Sequence, residues 1–232
     1  MEIKSYKTMK LNILTMENSE MARANIPPNV LPFRWLAHHV SKIFLMLLPK
    51  IDINGSSKIS VIFGQRGQEV AFDNVLGVTS YFIEDFDFKT FYSLSSHEQE
   101  FTLLTELTKA LLFIAKRKEE NKIISDLITA TAYKVVHCGF SLQIPIKKLG
   151  KSSANRKYKV IVHRILNADV GEAWRCTVID KSTLTATETW ITKVPDYLDR
   201  TDYFKRAEIK DDYYLIFTNS GQIVFGKKLT EI

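Results

Sequence analysis

The longest helical pattern in the chain runs from Ser95 to Val136 and separates two parts of different periodicity. Within it, apolar side chains recur at the three-and-four spacing that places them on one helix face. These residues are Leu104, Leu107, Leu111 and Ile114, followed by Ile124, Leu127, Ile128 and Val135. A charged run at 116–120 interrupts the pattern, with basic residues that suit a helix end before acidic residues that suit a helix start. We therefore predict two consecutive helices, with one continuous helix as the alternative.

Local signals predict where this helical stretch begins and ends. Ser95 stands three residues before Glu98, the spacing of a capping box, in which the two side chains satisfy free amide groups at a helix start. Gly139 can adopt the left-handed conformation that commonly ends a helix. The helical part should therefore extend from Ser95 to about Gly139.

From Phe140 onwards the period changes from helical to alternating. Phe140, Leu142, Ile144 and Ile146 alternate with polar residues or proline, which predicts a strand with one buried face. Pro145 favours an edge position, because proline cannot donate a ladder hydrogen bond. Further alternating or apolar runs, continuing to Phe225, predict six or seven antiparallel strands in sequence.

The part before the central helices mixes both kinds of element. Strands are predicted at 58–63, 69–72 and 75–83, and a helix from Pro32 to Leu48. The fold class is therefore α+β: an N-terminal small sheet with packed helices, a central helical pair, and a C-terminal antiparallel β meander or open barrel. We expect a mixed part at 1–139 and an antiparallel β part at 140–232, the alternative being one continuous core.

The net charge of +6 is unevenly distributed along the chain. Residues 1–139 hold 16 Lys and Arg against 15 Asp and Glu, whereas residues 140–232 hold 16 against 11. One predicted hairpin carries most of the excess and contains no acidic residue. We call it the basic hairpin, and we expect its residues to bind a partner: Lys147, Lys148, Lys151, Arg156, Lys157, Tyr158 and Lys159.

The basic hairpin allows three interpretations. Its cations, with Tyr158 among them, could bind an acidic protein face or a nucleic-acid backbone. They could also be a solvated hairpin whose charges prevent the sheet edge from aggregating. We place a protein partner before nucleic acid.

A second candidate is an acidic and aromatic segment after Pro195. A helical turn capped by Asp196 would explain it without any function. It could instead bind a partner's Arg and Lys side chains, although it lacks the spacing and glycine of a calcium loop. Its residues are Asp196, Tyr197, Asp199, Arg200, Asp202 and Tyr203.

Searches for catalytic and metal-binding motifs give no match. Residues 150–152 read Gly-Lys-Ser, but Pro145 stands where a phosphate-binding loop needs its first glycine, and a strand is expected where that loop needs a helix. His38 and His39 are helical neighbours and cannot bind one metal ion from a single face. His97 lacks the second histidine of a zinc protease motif. We predict no metal ion, no cofactor and no catalytic residue.

The cysteines and the apolar segments indicate a compartment. Cys138 and Cys176 do not make a disulfide framework, and buried structural thiols are their simplest interpretation. A nucleophilic cysteine would need a histidine, such as His163, brought near by the fold. Residues 1–10 lack the apolar run of a signal peptide, and the most apolar segment, 33–48, is charged and too short to span a membrane. We expect a cytoplasmic protein that does not contact a membrane.

Three hypotheses for function follow. The first is a non-catalytic intracellular protein that binds another protein, for example an immunity protein or an inhibitor that neutralises its partner. The second is a nucleic-acid-binding protein that uses the hairpin at 147–159. The third is an enzyme whose catalytic residues are dispersed along the chain. The first is preferred because the motif searches fail while charged and aromatic patches remain.

Overall fold

A computed structural model describes residues 10–117, 122–192 and 203–230. The described residues form four α-helices, one short 3-10 helix and 11 strands in three sheets, so the predicted α+β class is confirmed. The chain divides into two compact units, Met1–Phe140 and Ser141–Ile232. The predicted division into parts 1–139 and 140–232, with one continuous core as the alternative, stays a prediction. No helix in the described ranges has both the length and the apolar character to span a membrane.

The first unit contains a three-stranded parallel sheet. Its strands are β1 (Ile13–Asn18), β2 (Lys58–Phe63) and β3 (Val78–Ile83), in the order β1-β2-β3. Parallel neighbours need a crossover connection rather than a tight hairpin. Between β1 and β2 the crossover carries α1 (Phe33–Leu47), and between β2 and β3 it is the loop 64–77.

One predicted strand of this unit was wrong. Residues 69–72 lie in the loop between β2 and β3, where the Phe72 backbone amide donates to Ser80 Oγ at 2.6 Å and the Ser80 amide donates to the Phe72 carbonyl at 2.8 Å. The alternation at 69–72 therefore reflects a loop attached to the edge of β3. Because β2 and β3 pair in parallel, the segment between them must cross over, and this requirement outweighed the local strand propensity of residues 69–72.

The remaining helices of the first unit are α2 (Phe88–Ser93), α3 (Ser96–Lys116) and α4 (Lys122–His137), with the 3-10 helix at Met21–Asn25. The predicted capping box is confirmed: Ser95 Oγ accepts from the Glu98 amide, and Glu98 Oε2 accepts from the Ser95 amide at 2.9 Å. The predicted helix stop is also confirmed, because Gly139 has φ 60° directly after α4. Two helices are thus observed on either side of residues 118–121, which lie outside the described ranges.

The second unit consists of two antiparallel sheets. The first contains β4 (Leu142–Pro145), β5 (Lys151–Ser152), β6 (Tyr158–Asn167), β7 (Gly171–Asp180) and β8 (Thr185–Thr192). Its strand order is β4-β6-β7-β8, with β5 also paired to β6. The second contains β9 (Arg206–Lys210), β10 (Tyr213–Phe217) and β11 (Ile223–Lys228). The predicted edge position of Pro145 is confirmed, since β4 is the edge strand next to β6.

The two sheets share one apolar core, which gives the five-stranded sheet an inner and an outer face. Side chains alternate along β6, so that Tyr158, Val160 and Val162 are buried in this core while Lys159 and His163 lie on the outer face. Trp174 and Cys176 of β7 complete the inner face, opposite Tyr214 and Ile216 of β10. On the outer face of β6, Lys159 is exposed and Ile161 and His163 are half-buried, and the candidate site lies here.

Candidate functional site

The basic hairpin forms a notch in the edge of the five-stranded sheet. Pro145, the last residue of β4, pairs with His163 in the middle of β6, and Lys151 of β5 pairs with Val160, three residues away. Between these two pairings residues 146–150 form a turn, in which the Ile146 amide still bonds to Val162 and residues 147–150 leave β6. The resulting concave surface has a volume of about 440 Å³ and is lined by Pro145, Ile146, Lys147, Gly150, Lys151, Ser152, Lys159, Val160 and Ile161.

The turn at 146–150 is held firmly on the core. The Ile146 amide donates to the Val162 carbonyl at 2.8 Å, and the Leu149 side chain is completely buried. The buried Tyr214 hydroxyl donates to the Leu149 carbonyl at 2.8 Å. Lys147 and Lys148 therefore project from a fixed backbone, which reduces the entropy lost when a partner binds.

The second turn, at 153–157, is stabilised by its own side chains. The Tyr158 amide donates to Ser153 Oγ at 3.0 Å, and the Lys157 amide donates to Asn155 Oδ1 at 3.0 Å. Arg156 has φ 58°, a left-handed conformation that non-glycine residues seldom adopt. Arg156 and Lys157 are consequently exposed at the end of the sheet.

The cations differ in how far the fold neutralises them. Lys147 and Lys159 are exposed and Lys151 is half-buried, and no carboxylate in the described part of the chain lies within ion-pair distance of these three side chains. Lys157 differs, because its Nζ lies 3.5 Å from Asp180 Oδ2 and 5.0 Å from the centroid of the Tyr158 ring. Hydrogen bonding to Tyr158 and the charge of Asp180 raise the pKa of Lys157.

Tyr158 does not lie on the exposed surface where the sequence placed it. The residue is only 7% exposed and belongs to the core between the two sheets. The reason is its position in the alternation of β6, which turns every second side chain inward. Its contribution to the hairpin is therefore to support Lys157 rather than to contact a partner.

A neighbouring turn adds an apolar side chain to this end of the sheet. The turn joins β7 to β8, and its Lys181 amide donates to the Lys157 carbonyl at 2.8 Å. Leu184 in the same turn has φ 59° and is 83% exposed. Leucine is strained at this φ, and its exposed apolar side chain is unfavourably hydrated. The Leu184 side chain therefore does not stabilise the fold. The only sequence signal is a leucine where a turn normally has glycine or asparagine.

The outer face also carries a polar cluster that sequence reasoning missed. Arg175 Nη1 lies 2.9 Å from Glu188 Oε2, and its guanidinium lies 5.6 Å from the Trp190 ring centroid. His163 pairs with Arg175 across the two strands. Desolvation, and then the charge of Arg175, lower the pKa of His163, while Glu188 acts in the opposite direction. These residues are far apart in sequence and meet only through strand register.

The thiols of the chain are poorly suited to nucleophilic chemistry. Cys176 is completely buried, and desolvation raises the pKa of its thiol to about 12. It lies on the inner face, whereas His163 lies on the outer face, so the fold does not join them as a pair. Cys138 donates to the Val135 carbonyl at 3.2 Å at the end of α4.

The first unit brings together two histidines that the sequence analysis treated separately. Glu100 Oε1 lies 2.8 Å from His39 Nε2, and Glu100 Oε2 lies 3.5 Å from His97 Nδ1. His39 is 2% exposed and Glu100 7%, so a substrate has little access to them. The described residues contain no group of three or more His, Cys, Asp or Glu arranged to hold a metal ion. The carboxylate therefore links α1 to α3.

An acidic pocket of about 570 Å³ lies at the carboxyl end of β3, where open α/β sheets commonly bind ligands. Two of its carboxylates already have structural roles. Asp87 accepts from the Thr90 amide at 3.0 Å as the cap of α2, and Glu106 lies 2.6 Å from Lys109 Nζ. This pocket is therefore a weaker candidate than the notch.

Most of the predicted acidic and aromatic segment lies outside the described residues, namely Asp196, Tyr197, Asp199, Arg200 and Asp202. Tyr203 is described: it is exposed, and its ring packs on Phe204 with centroids 5.4 Å apart. The role of this segment stays a prediction.

Comparison with known proteins adds no functional information. The chain matches no protein-family model, no curated protein and no solved structure.

Proposed function

We propose that the protein is a non-catalytic binding protein whose basic hairpin binds an acidic face of a partner protein. The observation that carries this proposal is the group of three lysines, Lys147, Lys151 and Lys159, which no carboxylate of the described chain neutralises. Clustered like charges repel one another and oppose folding, so their concentration around one notch favours a role in binding. An immunity protein or an inhibitor is the kind of protein that acts in this way.

Two features favour a protein partner over nucleic acid. Proteins that bind single strands stack bases on exposed aromatic rings, and the one aromatic residue of the basic hairpin, Tyr158, is buried. The surface also presents apolar groups, the half-buried Ile161 and the exposed Leu184, which a phosphate backbone would not use. An apolar centre with a polar rim is the usual composition of a protein interface.

The chemistry of the described residues favours binding over catalysis. The Cys176 thiol is protonated and buried, and the pair formed by His39 and Glu100 is inaccessible. Both cysteines are free thiols, which suits a reducing compartment. We therefore place the proposed binding protein in the cytoplasm.

The test is affinity capture of the tagged protein from the lysate of its source organism, with and without nuclease, read by mass spectrometry. One stoichiometric protein should survive nuclease treatment. The combined change Lys147→Glu, Lys151→Glu and Lys159→Glu should reduce its recovery at least tenfold, because like charges placed opposite an acidic face repel it.

A matched control makes the same change in net charge at three lysines outside the basic hairpin. Lys50, Lys89 and Lys134 are exposed lysines of the first unit, and their combined replacement by Glu should leave capture intact. If both triple variants recover the same partner equally well, the basic hairpin is not the binding surface. Capture that disappears with nuclease would establish the nucleic-acid alternative instead.

A further inference from the structure

The notch combines an apolar floor with a cationic rim. The outer face of β6 carries Lys159, Ile161 and His163 in a row, because side chains on one face recur at every second residue. Ile161 lies at the point where the edge strand has turned away, so its side chain lines the notch together with Pro145. The floor is therefore apolar and partly accessible.

The rim is formed by Lys147 on the first turn and Lys159 on β6. Lys151 of β5 also lines the notch, but it pairs with Val160 and therefore extends from the face of the sheet opposite to Ile161. Lysines of two different elements thus adjoin the apolar floor. A ligand of matching chemistry has one apolar side chain to cover Ile161 and Pro145, with carboxylates on both sides to meet the ammonium groups. The volume of about 440 Å³ is at the small end of the range for ligand pockets, so it can hold side chains of a short segment but not a folded domain.

We propose that the notch binds a short acidic segment of the partner protein and that a single large apolar residue of this segment occupies it. This inference rests on the proposed function and specifies the partner's chemistry. In an extended segment, side chains two positions apart point to the same side and are about 6.6 Å apart, so carboxylates two residues before and after the apolar residue can reach the rim. If the contact were purely electrostatic, affinity would not depend on the apolar floor, and a nucleic-acid strand would contact only the lysines.

The experiment uses three labelled synthetic peptides, with fluorescence anisotropy as the readout. Their sequences are Glu-Glu-Phe-Glu-Glu, Glu-Glu-Ala-Glu-Glu and Gln-Gln-Phe-Gln-Gln. The first should bind about tenfold more tightly than the second, because phenylalanine buries much more apolar surface than alanine. It should also bind at least tenfold more tightly than the third, and only the acidic peptides should weaken steeply with salt.

Variants assign these differences to the notch. Ile161→Thr keeps a branched side chain suited to a strand but removes apolar surface, and should reduce the preference for phenylalanine over alanine to about twofold. The matched control is Ile223→Thr, at an exposed isoleucine of β11, which should leave the preference unchanged. The triple lysine reversal should abolish binding of both acidic peptides.

Three results would overturn the inference: equal affinity for the phenylalanine and alanine peptides, no detectable peptide binding, or a short oligothymidine binding more tightly than the phenylalanine peptide. Its failure can be distinguished from failure of the proposed function. If the peptides fail but capture from lysate still depends on the three lysines, the basic hairpin binds a partner without using the notch. If recovery of the partner from lysate does not change when the three lysines are reversed, the proposed function itself is wrong.

Discussion

Among the described residues of the five-stranded sheet, an arginine–glutamate pair lies on each face, and the two pairs differ in geometry and in exposure. On the inner face, Arg164 and Glu172 are joined by two parallel hydrogen bonds of 2.9 and 2.8 Å, and their side chains are 9% and 1% exposed. On the outer face, Arg175 and Glu188 are joined at 2.9 Å, with side chains 21% and 51% exposed.

The difference distinguishes a pair that stabilises the fold from a pair that contributes little to stability. A buried ion pair depends on both partners, because losing one leaves an uncompensated charge in a medium of low polarity. An exposed pair contributes little to stability, because water and salt screen it. Substitutions at the inner pair should therefore cost much more stability than substitutions at the outer pair.

The largest expected effect is on the inner pair. Glu172→Ala should lower the free energy of unfolding by about 3–5 kcal/mol, measured by denaturant titration. Glu188→Ala, the matched change on the outer face, should lower it by less than about 1 kcal/mol. Replacing both inner residues, as Arg164→Met with Glu172→Leu, should restore most of the loss, since no charge is then left unpaired. Similar losses for Glu172→Ala and Glu188→Ala would contradict the comparison.

An intermediate effect, of opposite sign, is expected at the turn after β7. Leu184→Asn should raise the free energy of unfolding by about 1 kcal/mol, because asparagine adopts positive φ more readily than leucine. The same replacement at Leu76, which has φ 52° and is 93% exposed in the first unit, provides a matched control. Both variants should gain stability in denaturant titrations.

Capture of the partner should distinguish the turn that contains Leu184 from the turn that contains Leu76. Leu184→Asn should reduce recovery of the partner, because it removes an apolar contact beside the basic hairpin, whereas Leu76→Asn should not. Leu184→Asn with unchanged capture would show that the exposed leucine has no part in binding.

The smallest effect concerns His163 and pH. Because desolvation and Arg175 lower its pKa in the folded protein, the unfolded chain binds protons more readily. The folded state should therefore lose stability as pH falls below about 6.5, the usual histidine pKa, and gain nothing from this group above it. Thermal unfolding at pH 8 and pH 5 should show a decline that is reduced in His163→Gln. The decline should be steeper in Glu188→Ala, because Glu188 favours the protonated imidazole.

Features that depend on neighbouring residues were predictable from the sequence. The capping box of Ser95 and Glu98, the helix stop at Gly139 and the edge position of Pro145 each follow from local chemistry and are confirmed. The basic hairpin was also visible, because its lysines lie close together in the chain. Tyr158 was placed on the wrong face, since a surface role was assigned from its cationic neighbours and not from the alternation of the strand.

Features that depend on strand register could not be predicted. The sheet of the first unit is parallel, so the pattern at 69–72 became part of a crossover loop. The notch exists because β4 and β5 pair with different parts of β6, and the cluster of His163, Arg175 and Glu188 exists because three strands align.

The sequence alone therefore determined the α+β class, the helix boundaries and the location of excess positive charge, since these depend on composition and on residues a few positions apart. Only the tertiary structure decided which lysines have no carboxylate of the described residues within ion-pair distance, which aromatic is buried and where an apolar floor meets a cationic rim. These properties depend on distances between residues far apart in the chain, and those distances are established when strands pair and close the core.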